Sequence, residues 1–361
     1  MVKNNTEKCG KRRPKNVLVA RFSALGDVAM TIPVMYSVCR CNPDIRFIFI
    51  TKPATQSLFI NAPENLVVIG LNLKEKYHGI GGLIKLFNDL RREYQFDAFA
   101  DLHNVLRSHI IGTLCRIHRI PFKRINKGKA NKRALTRKHN KVMLPLISSR
   151  ARYREVFLGM GLPLEERFIS LYGTGKGEPE KFAEITAPKQ EGERWIGIAP
   201  FAMHKGKIYP IELMERVLAE LSGWSNTKIF LFGGGEGERK VFASWVEKYP
   251  STISLAEKRH GFPVELALMS HLDVMVSMDS GNMHLASIVS VPVISVWGAT
   301  HPYCGFKGWK QQESNMVQLS MDCRPCSVFG NKPCHRGDYH CLAGIPPQMI
   351  IDKVSNIINK K

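Results

Sequence analysis

The chain has 361 residues, 44% of them hydrophobic and 9% aromatic, which is enough for two globular domains with sizeable cores. Its 52 Lys and Arg against 31 Asp and Glu give a formal charge of +21, which favours an anionic partner: nucleic acid, an anionic membrane surface or a nucleotide-like substrate. The apolar run around Ala286–Trp297 is shorter than the ~20 residues of a membrane span, and no signal-peptide core follows the basic N-terminus. The composition predicts a cytosolic protein, in which nine cysteines do not form a disulfide framework.

Short apolar runs alternate with helix-length segments in two parts of the chain, and the rhythm is interrupted between about Thr113 and Arg154. Such alternation predicts βαβ units and a parallel sheet in each part. The predicted strands are Val17–Ala20, Ile45–Ile50, Leu66–Ile69 and Ala98–Ala100 in the first part, and Trp195–Ala199, Lys228–Phe232, Ile253–Leu255, Val274–Ser277 and Pro292–Trp297 in the second.

The segment 173–193, rich in Gly, Pro, Lys and Glu, is typical of a connection between domains. We therefore predict an α/β protein with Rossmann-like doubly wound domains at 15–172 and 194–345, followed by a C-terminal helix over 346–361. In such folds ligands bind at the carboxyl ends of the strands, so both binding crevices are expected to face one central cleft.

An acid, Asp27, follows the first strand in the stretch RFSALGDVAM. It is either a helix N-cap or a catalytic base at a strand end. Proline is favoured in the first turn of a helix, so Pro33 predicts a helix from about Ile32 with Thr31 as its cap. That placement leaves Asp27 in a loop with no capping role.

Three turns in the second part each follow a predicted strand. The first contains Lys207; the second is the glycine run FGGGEGE with Gly234 and Glu236; the third is MDSGNMHLA. Each has an ordinary structural explanation as a turn, a cap or a solvated lysine. Together they favour a nucleotide site, because glycine-rich strand-to-helix turns direct backbone N–H groups at phosphate and an acid there can accept from ribose hydroxyls.

The segments RFSALGDVAMTIP, GKIYP, FGGGEGE and SMDSGNMHLASIVSVPVISVWGATHP, in this order, resemble the ADP-heptose:lipopolysaccharide heptosyltransferases of glycosyltransferase family 9. The resemblance implies a GT-B fold with an acceptor-binding N-terminal domain, a nucleotide-sugar-binding C-terminal domain and a last helix packed back on the N-terminal domain. It also implies transfer of a heptose, with inversion, from ADP-heptose to the lipopolysaccharide inner core. Ala202 and Met203 depart from the pattern, since relatives often have Thr or Ser there.

The resemblance further implies site residues. Asp27 corresponds to the general base and Lys207 to the lysine that stabilises the leaving diphosphate, so both are predicted to be catalytic. No cofactor is required, because the lysine and a helix N-terminus suffice to carry the diphosphate charge. The predicted donor-binding residues are Gly26, Lys207, Gly234, Glu236, Asp279, Ser280, Gly281 and His284.

A strongly basic stretch runs from Leu102 to Arg154, with fifteen Lys and Arg and no Asp or Glu. It suits a phosphorylated lipid-linked or lipopolysaccharide acceptor in an anionic membrane leaflet, so we expect a peripheral protein at the cytoplasmic face of the inner membrane. Nucleic acid is an alternative, disfavoured by the scarcity of aromatic residues. The predicted acceptor-binding residues are Arg21, Asp101, His103, Arg107, Lys132, Arg133 and Arg137.

Four cysteines cluster near the C-terminus: Cys323, Cys326, Cys334 and Cys341. Their spacing begins with C-x2-C and suits a structural zinc, although redox-sensitive disulfides and plain buried thiols are alternatives. For the whole protein, a related glycosyltransferase with another nucleotide sugar or glycan acceptor stays open, as does a non-catalytic nucleic-acid-binding α/β protein.

Overall fold

The computed structural model describes residues 13–73 and 75–360, and the predicted pair of α/β domains is confirmed. The N-terminal sheet is entirely parallel, in the order β3-β2-β1-β4-β5. Its strands are β1 (Asn16–Ala20), β2 (Arg46–Thr51), β3 (Leu66–Gly70), β4 (Ala98–Asp101) and β5 (Phe122–Arg124), and its helices are α1 (Leu25–Ala29), α2 (Ile32–Cys41), α3 (Pro53–Gln56), α4 (Gly79–Tyr94), α5 (Leu106–Ile117), α6 (Lys129–Thr136) and α7 (Ser149–Leu158).

The C-terminal sheet is also parallel, in the order β11-β10-β9-β6-β7-β8. Short 3-10 turns occur at Pro179–Phe182, Lys205–Lys207, Pro302–Cys304 and Glu313–Asn315. The strands are β6 (Arg194–Ala199), β7 (Thr227–Leu231), β8 (Thr252–Ser254), β9 (Val274–Met278), β10 (Val293–Val296) and β11 (Met316–Val317), and the helices are α8 (Ile211–Ser222), α9 (Glu236–Lys248), α10 (Phe262–Met269), α11 (Gly281–Ile288), α12 (His340–Ala343) and α13 (Pro347–Ile358).

Each sheet has one point at which the strand order reverses, between β1 and β4 in the first domain and between β6 and β9 in the second. Both sheets are buried on their two faces, as the nearly continuous apolar strands require. Ligands of doubly wound folds bind in the crevice beyond the strands at such a reversal. A ligand-binding site is therefore expected at the segments that follow β1, β6 and β9.

The two domains meet through short helices that follow these strands. Helix α1, after β1, packs on α11, after β9. Gly26 faces His284, and Gly281 faces Leu25, so closely that a Cβ on either glycine would lie within 3 Å of the opposing side chain. The contact brings the carboxyl-end edges of the two sheets together across one cleft.

The C-terminal helix contradicts the sequence-based expectation that it packs back on the N-terminal domain. Helix α13 packs on α8 and lies over β9 and β10 of its own domain. Ile350 and Val354, one turn apart, are fully buried there. The physical reason is that inward-facing strand residues such as Val276 need an apolar cover, which the stripe on α13 provides.

The connection 173–193 is not a free linker. Its 3-10 turn packs on α10, and the ring of Phe182 lies 6.0 Å from that of Trp195 and 5.1 Å from that of His271. The segment is therefore bound to the C-terminal domain. Within the described residues, none of the helices is both long and apolar enough to cross a membrane.

Candidate active site

Two cavities meet at Asp27, which lines both of them. The larger, about 360 Å³, lies between the domains and is called the cleft cavity. Its wall includes α1, the turn after β6 and the N-terminus of α11. The smaller, about 200 Å³, is called the basic cavity and is lined by residues that include Arg21, Lys127, Lys132 and Arg152.

Asp27 belongs to a helix, contrary to the expectation that it lies in a loop without a capping role. Helix α1 begins at Leu25, and the Asp27 carboxylate accepts from the backbone N–H of Ala24 at 3.3 Å. The Oδ2 atom that makes this contact also forms an ion pair with Arg21, whose other amino group donates to the carbonyl of Leu102. Helix α2 begins at Ile32, as Pro33 predicts.

Both protein contacts of the Asp27 carboxylate use Oδ2, and no partner for Oδ1 is found among residues 13–73 and 75–360. About a quarter of the side chain is exposed to the two cavities. Capping and proton transfer are thus compatible, because one oxygen fixes the carboxylate and the other stays available. A carboxylate held in this way can accept a proton from a hydroxyl group that enters the cleft.

On the opposite wall, Lys207 forms an ion pair with Asp279, with 2.9 Å between Nζ and Oδ2. Thr300 donates to the same oxygen at 2.8 Å. Asp279 is buried and Lys207 is mostly buried, so the ammonium is held in place at the cavity wall before any ligand binds. A positioned ammonium is suited to stabilising a negative charge that develops in the cleft.

The N-terminus of α11 lies in the same cavity. Ser280 is the N-cap residue, and Gly281 and His284 line the wall beside it. The first N–H groups of a helix have no intrahelical partner and favour a bound anion. These residues place a phosphate-compatible surface next to Lys207 and opposite Asp27.

His284 is buried against α1, and its Nδ1 atom has no hydrogen-bond partner in the described part of the chain. Burial lowers its pKa to about 4. Burial and the nearby Arg21 likewise lower the pKa of His103 to about 4; its ring accepts from the N–H of Phe22 at 3.4 Å. Both imidazoles are therefore neutral at pH 7.

We expect the free energy of unfolding to fall as the pH is lowered from about 6.5 to about 4. In this window the unfolded chain protonates these histidines and the folded protein does not, so the stability that is complete above pH 6.5 is progressively lost. Each histidine contributes about 1.4 kcal/mol per pH unit at most. Between pH 6.5 and 5, the free energy of unfolding of His284→Gln, measured with urea, should depend less steeply on pH than that of the parent protein. An unchanged slope would contradict the lowered pKa of His284.

Gly26→Ala is expected to slow any reaction that needs both walls of the cleft. The new Cβ would lie 2.5 Å from Cδ2 of His284, so α1 and α11 would have to separate. A misplacement on this scale costs up to about 10²-fold in turnover. Gly81→Ala, in the first turn of α4 with nothing within 4 Å, is the matched control. Equal turnover of the two variants would show that the close approach is unnecessary.

The glycine turn after β7 is arranged differently from the sequence-based expectation. Glu236 is 80% exposed, pairs with Lys240 and does not line the cleft cavity, nor does Gly234. Glu238 lines it instead and accepts from the N–H groups of Gly234 and Gly235 at 2.7 and 3.2 Å. A Glu three residues after Gly235 was the available signal for this missed residue, because a Glu at that helix position can accept from the N–H of the N-cap residue.

The structure contradicts the prediction that Asp101 binds the acceptor. Its side chain is fully buried, forms an ion pair with Arg124 at 2.7 Å and accepts from the N–H of His103 and Asn104. It therefore stabilises the turn after β4, and a substrate cannot reach it. Asp101 ends a buried parallel strand, where an acid without such partners would be costly.

Other predicted acceptor residues divide into two groups. Arg21, His103 and Lys132 line the basic cavity. Sequence reasoning missed Lys127 and Arg152 there, because all fifteen cations look alike in the sequence. The second group is Arg107, Arg133 and Arg137, which are exposed and line neither cavity.

The cysteine cluster does not support the zinc expectation. The four thiols line one small void beside Arg324. However, the described residues include no group of three or more His, Cys, Asp or Glu side chains arranged to share a metal ion. Burial raises the pKa of Cys341 to about 11, so this sulfur is a protonated thiol at neutral pH.

Comparisons with known proteins find heptosyltransferases, both among family models and among curated relatives. The model of the family described as glycosyltransferase family 9 (heptosyltransferase) matches residues 83–335. Lipooligosaccharide heptosyltransferase 2 of Campylobacter jejuni subsp. jejuni serotype O:2 is 21% identical over 339 residues, which cover 92% of this chain and 95% of that protein.

Two solved structures have the same architecture. A glycosyl transferase family 9 protein from Veillonella parvula superposes with a TM-score of 0.73 at 16% identity, covering 96% of this chain and 98% of that one. The E. coli ADP-heptose lps heptosyltransferase II gives a TM-score of 0.68 at 16% identity, covering 96% and 99%. The predicted GT-B fold is confirmed by these neighbours.

Proposed function

The chain belongs to glycosyltransferase family 9, and from this premise we propose that it transfers a heptose from ADP-heptose to the lipopolysaccharide inner core, with inversion. The observation that carries the proposal is the position of Asp27. It lies where the cleft cavity and the basic cavity meet, with one carboxylate oxygen without a protein partner in the described chain. The relatives named above support the heptose and the core acceptor.

The proposed reaction is a single displacement. Asp27 takes the proton of the acceptor hydroxyl as its oxygen attacks the anomeric carbon of the heptose. The bond from that carbon to the β-phosphate oxygen breaks on the opposite face, and ADP leaves with the electron pair. Because attack and departure occur on opposite faces, the anomeric configuration inverts.

The leaving diphosphate would lie against Lys207 and the N-terminus of α11. Asp279 and Thr300 position the lysine, and the free N–H groups from Gly281 onward add hydrogen-bond donors. Ala202 and Met203 line this wall without side-chain hydroxyls, so the lysine and the helix carry more of the phosphate recognition. No step of this scheme requires a metal ion or cofactor.

The N-terminal domain would bind the acceptor at the membrane surface. Between α6 and α7, an exposed loop combines Val142 and Leu144 with the basic residues Arg137 and Lys138. Apolar side chains flanked by cations suit an anionic leaflet. This supports peripheral association with the cytoplasmic face of the inner membrane.

Calorimetric titration of ADP, UDP and GDP into the purified protein tests the donor assignment. We expect ADP to bind at least tenfold more tightly than the other two, and equal or absent binding would contradict the donor assignment.

Filter binding with random RNA at physiological salt tests the nucleic-acid alternative. Tight, salt-sensitive RNA binding without ADP affinity would favour that alternative.

A further inference from the structure

Two phenyl rings border the junction between the cleft cavity and the basic cavity. Among the described residues, those that line both cavities are Ala24 and Asp27 from the N-terminal domain and Phe306 and Phe329 from the C-terminal domain. Asp27 is the proposed base. A substrate that reaches across the junction therefore lies between the Asp27 carboxylate and the two rings.

Phe329 is uncovered, whereas the other ring is not. It is 52% exposed, the most of all 18 phenylalanines in the chain, and Phe306 is buried. The two ring centres are 5.8 Å apart, and the ammonium of Lys132 lies 5.7 Å from the centre of the Phe329 ring. Contact of an apolar ring with water costs free energy, which a ligand that covers the ring recovers.

A tight turn fixes the position of Phe329. The buried hydroxyl of Ser327 accepts from the backbone N–H groups of Phe329 and Gly330 at 3.3 and 2.9 Å, and it donates to the side chain of Asn331 at 3.0 Å. Gly330 has a φ of +75°, and a Cβ on it would lie 2.6 Å from Cγ of Lys207. The turn therefore packs on the stem of Lys207, and the ring and the ammonium keep a fixed relation.

The same segment is tied to the other partners of Lys207. Arg324, 3% exposed, donates through Nη2 to the carbonyl oxygens of Trp297 and Thr300 at 3.1 and 3.0 Å. The hydroxyl of Thr300 donates to Asp279, which pairs with Lys207. The exposed ring is thus positioned before a ligand binds, which lowers the entropy cost of binding.

The Phe329 ring lies where the transferred sugar has to be held. The leaving diphosphate is proposed to lie against Lys207, and the anomeric carbon must come within reach of the hydroxyl that Asp27 deprotonates. The heptose therefore occupies the space between these two residues, beside Phe329. The C–H groups on one face of a sugar ring pack on an aromatic ring, whose face carries partial negative charge, and aromatic walls are common in ligand pockets.

Resting on the proposed function, we propose that Phe329 is a positioning residue for the heptose of the donor. Its ring, supported by Phe306, covers one face of the sugar and holds the anomeric carbon toward Asp27. The ring also excludes water, which would otherwise replace the acceptor hydroxyl. In that hydrolysis the water oxygen bonds to the anomeric carbon, its proton goes to Asp27, and ADP leaves with the electron pair of the broken bond.

The test compares Phe329→Ala and Phe329→Tyr in the full chain, with Ile117→Ala as control. Ile117 is 67% exposed at the end of α5 and lines neither cavity. Calorimetry without acceptor measures the binding of ADP and of ADP-heptose separately. Phe329→Ala should raise the Kd of ADP-heptose about 10-fold, the effect expected from the uncovered half of a phenyl ring, and leave the Kd of ADP unchanged. Phe329→Tyr keeps an aromatic face and should keep the parental affinity, as should the control.

Kinetics with the core acceptor supplies a second measurement. Phe329→Ala should release more than one ADP per heptose transferred, because water gains access to the anomeric carbon, whereas the parent protein should release one. An unchanged Kd of ADP-heptose in Phe329→Ala, or an equal loss of affinity for ADP, would overturn the proposal. A raised acceptor KM with unchanged ADP-heptose affinity would place the ring against the acceptor and overturn it as well.

The positioning role and the proposed function fail separately. A parent protein that binds ADP-heptose but does not transfer the heptose refutes the proposed function, and the calorimetric comparison still decides the role of Phe329. Normal transfer by every variant, with parental donor affinity, leaves the function intact and refutes the positioning role. A parent protein that does not bind ADP-heptose refutes both.

Discussion

Replacing Asp27 with Asn is expected to lower the turnover of heptose transfer by about 10²- to 10⁴-fold, the usual contribution of a general base. The amide keeps the shape of the side chain and can still accept from the N–H of Ala24, but it cannot take a proton. The affinity for ADP should change little, because the proposed phosphate contacts lie on the opposite wall. Steady-state kinetics with ADP-heptose, combined with ADP calorimetry, separates the two effects.

Asp44→Asn is the matched control for this variant. Asp44 is exposed in the loop before β2 and does not line either cavity. It should keep parental turnover. Near-normal transfer by Asp27→Asn would refute the assignment of the base, whereas loss of both transfer and ADP binding would indicate a structural effect of the lost Arg21 ion pair.

Lys207→Met is expected to be the second most damaging substitution. Loss of a positioned charge that stabilises the leaving group costs about 10²- to 10³-fold in turnover. The variant also leaves the Asp279 carboxylate buried without its cation, and breaking a buried ion pair in this way destabilises a fold by about 3 to 5 kcal/mol. Turnover and the free energy of unfolding, measured by urea denaturation, should therefore both decrease.

A double variant, Lys207→Met with Asp279→Asn, distinguishes catalysis from stability. The neutral amide removes the uncompensated charge and keeps an acceptor for Thr300, so much of the stability should return while turnover stays low. Lys205→Gln serves as control, since Lys205 is exposed and contacts the ring of Tyr339 at 5.3 Å. Recovery of turnover in the double variant would show that Lys207 acts only through folding.

Much of the architecture could be predicted because buried parallel strands consist of consecutive apolar residues, which are visible in the sequence. Every predicted strand is present within about two residues, from Val17–Ala20 through Pro292–Trp297. The two missed strands are short and lie at sheet edges. Phe122–Arg124 contains two cations, and Met316–Val317 has two residues, so neither shows the pattern of a central strand.

The site was predictable at the carboxyl ends of the central strands and less so elsewhere. Asp27, Lys207 and the α11 turn converge as expected because they follow strands at the two order reversals. Asp101 has the same kind of position, but its neighbour in the sheet supplies Arg124 and converts it into a buried structural pair. Which basic residues face a cavity depends on the packing of α6 and α7, and a run of uniform charge does not encode that.

The most direct test of the account follows the anomeric configuration of the product. The purified protein is incubated with ADP-heptose of known configuration and the core acceptor, and the glycosidic bond formed is assigned by nuclear magnetic resonance while ADP release is measured. We predict one ADP released per heptose transferred and a single product of inverted configuration. Absence of transfer despite ADP binding, or a product that retains the donor configuration, would contradict the proposed function and its single-displacement mechanism.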